Sequence, residues 1–155
     1  MVQFIKGPWK SGEDYSTRLL SEEILKEKVG KGGITFKKMG LGFVGILGDS
    51  LPIEEHKKAA GEVLNYLTAE LARTDLEKRW DMVIMDEVNV ATSLGLIKAE
   101  DVLSALKNVP AEQIVIMTGR GAPQEFLDRA DLATEMREVK HPYNDGKLGK
   151  INVEF

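Results

Sequence analysis

The apolar positions of this chain change their period several times, and each change marks an element. Val2–Ile5 is a short apolar run closed by Gly7 and Pro8, the pattern of a small buried strand. Residues 10–15 are polar and read as a loop. From 18 to 29 the spacing turns helical, with Leu19, Leu20, Ile24, Leu25 and Val29 on one side, until Gly30–Gly33 breaks it. Ile34–Met39 predicts a second strand, followed by the glycine-rich turn G-L-G-F-V-G. Pro52 opens the longest helix, 53–74, which lines up Ala59, Ala60, Val63, Leu64, Leu67, Leu71 and Ala72.

Residues 82–86 form an apolar strand that runs into two acids. A helix over Ala99–Leu106 turns Val102, Leu103 and Leu106 inward and stops at Asn108–Pro110. Gln113–Met117 reads as a further buried strand ending in T-G-R-G, and Pro123–Ala130 as a short helix. Leu132–Val139 and Ile151–Phe155 have the composition of two more strands. Buried strands separated by helices predict an α/β fold with a mostly parallel sheet and flanking helices.

Length and charge narrow the function classes. At 155 residues the chain fits a single domain, 1–155. A formal net charge of −4 argues against a nucleic-acid partner, which a basic face would recognise. No apolar stretch approaches the roughly 18 residues of a membrane span. The start, M-V-Q-F-I-K-G, becomes polar too soon for a signal peptide, so a cytoplasmic location is expected. With no cysteine, disulfides and thiolate metal sites are excluded.

Chemistry concentrates where strands end. In doubly wound sheets ligands bind at the carboxyl ends of the strands, and both Asp86-Glu87 and Thr118-Gly119-Arg120-Gly121 stand directly after an apolar run. Paired acids at such an edge suit Mg²⁺, which takes one or two carboxylates and completes its shell with phosphate oxygens and water. The plain alternative is that Asp86 caps a turn and Glu87 faces solvent. G-K-G-G at 30–33 lacks the spacing of a phosphate loop and reads as a helix-ending turn. Phe43, in its glycine-rich loop, is either a core plug or a ligand contact. His56 is expected in solvent and His141 in a loop, flanked by Lys140 and Tyr143. Trp9 and Trp80 are read as packing residues.

Five segments in order carry a resemblance: V-Q-F-I-K-G-P-W-K-S-G-E, M-G-L-G-F, V-I-M-D-E-V-N-V-A, T-G-R-G-A-P and A-D-L-A-T-E-M-R-E-V-K-H-P-Y-N-D-G. Together they resemble the ATP:corrinoid adenosyltransferases of the CobA/BtuR type, from residue 2 to the C-terminus. The resemblance implies a homodimeric P-loop NTPase fold of the RecA-like kind. It also implies transfer of the 5′-deoxyadenosyl group of ATP to the Co(I) of a corrinoid, with release of tripolyphosphate, in adenosylcobalamin synthesis or salvage. Glu87 would ligate Mg²⁺ with Asp86 beside it as a Walker-B-like acid. Thr118, Arg120 and Lys6 would bind nucleotide. Phe43 and His141 would contact the corrinoid, and a flavoprotein is a possible electron donor.

Two departures from the family pattern shape the expectations. Gly45 stands where a second aromatic follows Phe43. Family members also place a strand, a G-x-G-K-[GT]-T loop and a helix, about 30 residues in all, ahead of V-Q-F-I-K-G. This sequence starts at that later point, so the first strand–P-loop–helix is missing from it. The missing strand is expected beside 82–86, and ATP binding by this chain alone is expected to be weak. A second reading follows: a corrinoid- or nucleotide-binding relative that has lost ATP chemistry.

Overall fold

The computed structural model describes residues 1–7, 9–27, 32–46, 48–75 and 78–146. They fall into two compact units, one built from residues 1–9 and 35–129, the other from 10–34 and the residues after 129.

The first unit holds the sheet. Strands β1 (Val2–Gln3), β2 (Lys37–Lys38), β3 (Met82–Asp86) and β4 (Ile114–Met117) lie in the order β2-β1-β3-β4, and every pairing is parallel. Register brings Gln3 opposite Asp86 and Met85 opposite Met117. The expected α/β class with a mostly parallel sheet is therefore found. Strands β1 and β2 are shorter than the apolar runs that foretell them.

Helix α2 (Ile53–Leu71) supplies the largest apolar face. Glu54 and Glu55 sit in its first turn, where acids complement the helix dipole. Its Ala60, Val63, Leu64, Leu67 and Leu71 are buried with Phe4, Val83 and Met85 in one continuous core. Deleting a fully buried leucine such as Leu67 from such a core costs about 2–5 kcal/mol. Helix α4 (Ala99–Ala105) packs on α2 and buries Val102, followed by buried Leu106; α5 (Gln124–Arg129) adds Phe126. Trp80 fulfils its packing role: its indole N–H donates to Glu70 Oε2 at 2.6 Å, and Glu70 Oε1 receives Arg73 at 2.8 Å.

Several expectations are overturned here. Helix α3 (Val88–Ser93) begins one residue after the acids, where the sequence shows only a continuing apolar run. Strand β4 is not buried on both sides: Ile114 is 53% and Ile116 is 37% exposed, two alternate residues that share one face of the strand. The position expected for an additional strand, beside 82–86, is filled on both sides by β1 and β4. The open edges of the described sheet are those of β2 and β4.

In the second unit, α1 (Gly12–Glu27) starts well before the expected helix, taking in residues 12–15, whose polarity suggests a loop. The reason is local. Ser11 N–H donates to Asp14 Oδ2 at 2.7 Å, half of a capping box of the S-x-x-D kind. Leu132–Val139, expected as a strand, has no strand partner among the described residues, and Leu132, Met136 and Val139 are 85%, 94% and 92% exposed. A short 3₁₀ turn, Pro142–Asp145, follows. The strand expected at Ile151–Phe155, and Gly30 and Lys31 of the G-K-G-G turn, lie outside the described residues. Among the described residues no helix is long and apolar enough to cross a membrane.

Candidate functional site

Three parallel strands deliver their following residues to one edge of the sheet. β1 leads to Lys6, β3 to Asp86 and Glu87, and β4 to Thr118 and Arg120. Strand alternation then decides what each side chain does. Gln3 is fully buried, and its Nε2 donates to Asp86 Oδ2 at 2.8 Å. The Thr118 hydroxyl donates to Asp86 Oδ1 at 2.8 Å and accepts the Glu87 N–H at 3.1 Å. Both carboxylate oxygens of Asp86 thus accept protein hydrogen bonds, one from each neighbouring strand, and the acid ties β1, β3 and β4 together where their ladders end.

Glu87 is arranged differently. It takes a left-handed backbone, φ 62°, among the described residues the one non-glycine residue with positive φ. Such a conformation costs of order 1–3 kcal/mol and persists only where the surroundings enforce it. Here the enforcing contacts are the Thr118 hydroxyl on the Glu87 N–H and the Asn89 N–H, which donates to the Thr118 carbonyl at 3.1 Å. The turn is tight enough that β3 passes directly into α3, and the Glu87 side chain is left half-buried. Burial, and then the neighbouring Asp86 charge, raise its carboxyl above the ordinary value, while Lys6 and Arg120 pull it back. Gly119, φ 121°, lies against α3: an added Cβ would stand 3.1 Å from the Val90 nitrogen. The Asn89 amide donates to the Gly119 carbonyl at 3.1 Å, so the T-G-R-G loop is held onto the helix that follows the acids.

The structure therefore gathers Lys6, Asp86, Glu87, Thr118 and Arg120 of the sequence candidates. Gln3 and Asn89 complete the same network, and sequence reasoning misses both. Each is a polar residue within an apolar run, V-Q-F-I and V-N-V-A, which is the available signal. Gln3 Oε1 and Asn89 Oδ1 are buried without a protein partner among the described residues. No group of three or more His, Asp or Glu side chains there forms a metal cage. A hard cation would thus draw on few protein ligands, and a half-buried carboxylate with raised proton affinity fits that role. A groove of about 670 Å³ between α2 and residues 95–105 is lined by none of these residues.

Phe43 lies on the loop between β2 and α2. It is 46% exposed, so it is not a core plug. Trp9, itself 61% exposed, stacks with it at 6.4 Å between ring centroids, and the two present an aromatic surface rather than filling the interior. Trp9 lies on two glycines: a Cβ at Gly42 would stand 2.6 Å from its Cη2, and one at Gly7 2.8 Å from its Cζ3. Lys38 Nζ donates to the Trp9 carbonyl at 2.7 Å. His56, expected in solvent, is instead 3% exposed and bonded to Asp49. His141 belongs to the second unit, where its carbonyl accepts the Asn144 N–H at 3.1 Å.

Comparison with known proteins identifies the family. Residues 1–155 match the family model described as ATP:corrinoid adenosyltransferase BtuR/CobO/CobP. The whole chain aligns at 33% identity with the corrinoid adenosyltransferase of Escherichia coli (strain K12), spanning 69% of that protein. It aligns at 34% with that of Pseudomonas aeruginosa, spanning 68%, and at 32% with the corrinoid adenosyltransferase CobA of Salmonella typhimurium, spanning 69%. On a match running its full length, the chain belongs to the ATP:corrinoid adenosyltransferase family.

Proposed function

We propose that this protein transfers the 5′-deoxyadenosyl group of ATP to the Co(I) of a corrinoid. The reaction forms a cobalt–carbon bond with the electron pair of Co(I) and breaks the C5′–O bond of the ribose, the leaving pair departing on tripolyphosphate. The observation that carries the reading is the convergence of Lys6, Glu87 and Arg120 at the carboxyl ends of β1, β3 and β4, with Glu87 held in a strained turn and its proton affinity raised.

In this reading Lys6 and Arg120 meet phosphate oxygens, where two cations neutralise charge that grows on the leaving group. Glu87 is the carboxylate that would hold Mg²⁺, which supplies further neutralisation of the triphosphate when bound. Asp86 and Thr118 keep Glu87 and the T-G-R-G loop in place rather than contact the metal. Phe43, with Trp9 stacked on it, meets the corrinoid ring, and the corrinoid role that the resemblance implies for His141 stays part of this proposal. Gly45 stands where the family pattern places a second aromatic, so Phe43 and Trp9 are the aromatic faces this chain offers the corrinoid. A homodimer, a flavoprotein electron donor, a cytoplasmic location and a place in adenosylcobalamin synthesis or salvage belong to the same proposal.

The test is adenosylation of chemically reduced cobalamin with MgATP, followed by the absorbance change as Co(I) is alkylated. Glu87→Gln is expected to lower kcat/KM by about 100-fold, since one charge-bearing group of the transition state is removed. Turnover at the wild-type rate in that variant removes Glu87 from the mechanism. Cobalamin binding with no turnover at any MgATP concentration supports instead a relative that has lost ATP chemistry.

A further inference from the structure

The loop carrying Phe43 has little secondary structure to hold it. Between β2 and α2 the chain runs through four glycines, Gly40, Gly42, Gly45 and Gly48, and three of them have positive φ. At its start the Gly42 N–H donates to the Ile5 carbonyl at 2.9 Å. Its far side is gathered by a single carboxylate. Asp49 Oδ2 accepts the Gly45 N–H at 2.7 Å and meets His56 Nε2 at 3.1 Å, while Oδ1 accepts the Leu51 N–H at 3.1 Å. The Asp49 N–H in turn donates to the Ile46 carbonyl at 3.1 Å.

This arrangement is more than a surface turn needs. Turns are ordinarily closed by backbone bonds and short side chains in contact with water. Here the imidazole is 3% exposed, so its polar edge needs a protein partner, and Asp49 supplies one while also taking two backbone N–H bonds. The two backbone bonds, then the imidazole, hold the Asp49 carboxyl below its ordinary value. His56 belongs to the first turn of α2, which is anchored in the core through Ala60, Val63 and Leu64. The clasp therefore transmits the position of a rigid helix to Gly45, two residues from Phe43. A binding loop fixed beforehand loses less conformational freedom when its ligand arrives.

We propose that Asp49 and His56 are positioning residues for corrinoid recognition, clasping the 45–51 turn to α2 so that Phe43 and Trp9 present their stacked rings in one place. The assignment rests on the corrinoid reading above and adds two residues that themselves touch no substrate.

The experiment compares the full chain with Asp49→Asn, His56→Ala and His56→Gln, using hydroxocobalamin as the binding probe. Amide exchange at Gly45 and Leu51 is followed without ligand. Asp49→Asn and His56→Ala are expected to speed that exchange by about tenfold or more, as local opening becomes easier. They are expected to raise the Kd for hydroxocobalamin by about tenfold. His56→Gln, which keeps a donor toward Asp49, should recover most of both losses. Faster exchange with an unchanged Kd for hydroxocobalamin makes the clasp purely structural and overturns the proposal, as does unchanged exchange. Failure of the wild-type chain to bind hydroxocobalamin defeats the functional reading and this assignment with it. The ligand-free exchange data separate that outcome from failure of the clasp alone.

Discussion

The strand-end network and the Phe43 loop hold their polar and aromatic side chains in place by opposite means. At the strand ends, geometry comes from the sheet. Three parallel strands in fixed register place Gln3, Asp86 and Thr118 within hydrogen-bond reach, and the Asp86 bonds run from β3 to β1 and to the residue that follows β4. At the Phe43 loop no ladder exists. A few backbone bonds and the Asp49–His56 clasp carry the placement, and the Phe43 and Trp9 rings are 46% and 61% exposed. The difference teaches where tolerance should lie. Groups woven into the sheet cannot be changed without loosening the fold, whereas the exposed rings can be removed with the fold intact.

The sharpest way to break that contrast is Asp86→Ala. It leaves the buried Gln3 amide and the Thr118 hydroxyl without their acceptor, at about 1–3 kcal/mol for each buried group left unpaired. Urea unfolding should show that loss together with loss of activity; a midpoint equal to wild type would mean the network does not brace the sheet. Phe43→Ala comes next. It should weaken hydroxocobalamin binding by about tenfold, in line with the loss of an aromatic contact, and leave the unfolding free energy within about 0.5 kcal/mol of wild type. A large loss of stability there would place Phe43 in the core after all.

The smallest effect concerns Glu87 and sharpens the picture of the strand end. Its folded-state proton affinity is raised, chiefly by burial and then by Asp86, so the folded protein binds a proton more tightly than the unfolded chain. Stability is therefore highest below the ordinary glutamate range and falls as pH rises through the raised value. In metal-free buffer containing EDTA, Glu87→Gln should melt above wild type at neutral pH, and the gap should close as the buffer is taken below the ordinary glutamate range. A variant that melts below wild type at neutral pH would show that Lys6 and Arg120 outweigh burial.

Much of the first unit is legible in the chain. The long amphipathic helix, the 82–86 strand and the helix near 99–106 appear within a few residues of their expected limits, because each carries a full period of apolar residues. The acids and T-G-R-G can be placed at strand ends for the same reason. Elements whose limits depend on neighbours are not legible. Helix α3 is short and opens on a left-handed glutamate enforced by Thr118, a residue 31 positions away. Leu132–Val139 has strand composition, yet a strand exists only where a ladder partner is present. His56 has the look of a solvent residue on a charged helix turn, and only the fold brings Asp49 over it.

By itself, then, the sequence determined the α/β class, the core-facing residues of the long helix and the types of group available at the strand ends. Periodicity and local chemistry act over a few residues, and a single chain displays them directly. Tertiary structure decided which of two adjacent acids is consumed in bracing and which is left half-buried in a strained turn. It also decided that a histidine on a helix holds a loop. Both outcomes turn on hydrogen bonds between residues that lie together only after the strands have paired and the loop has folded back.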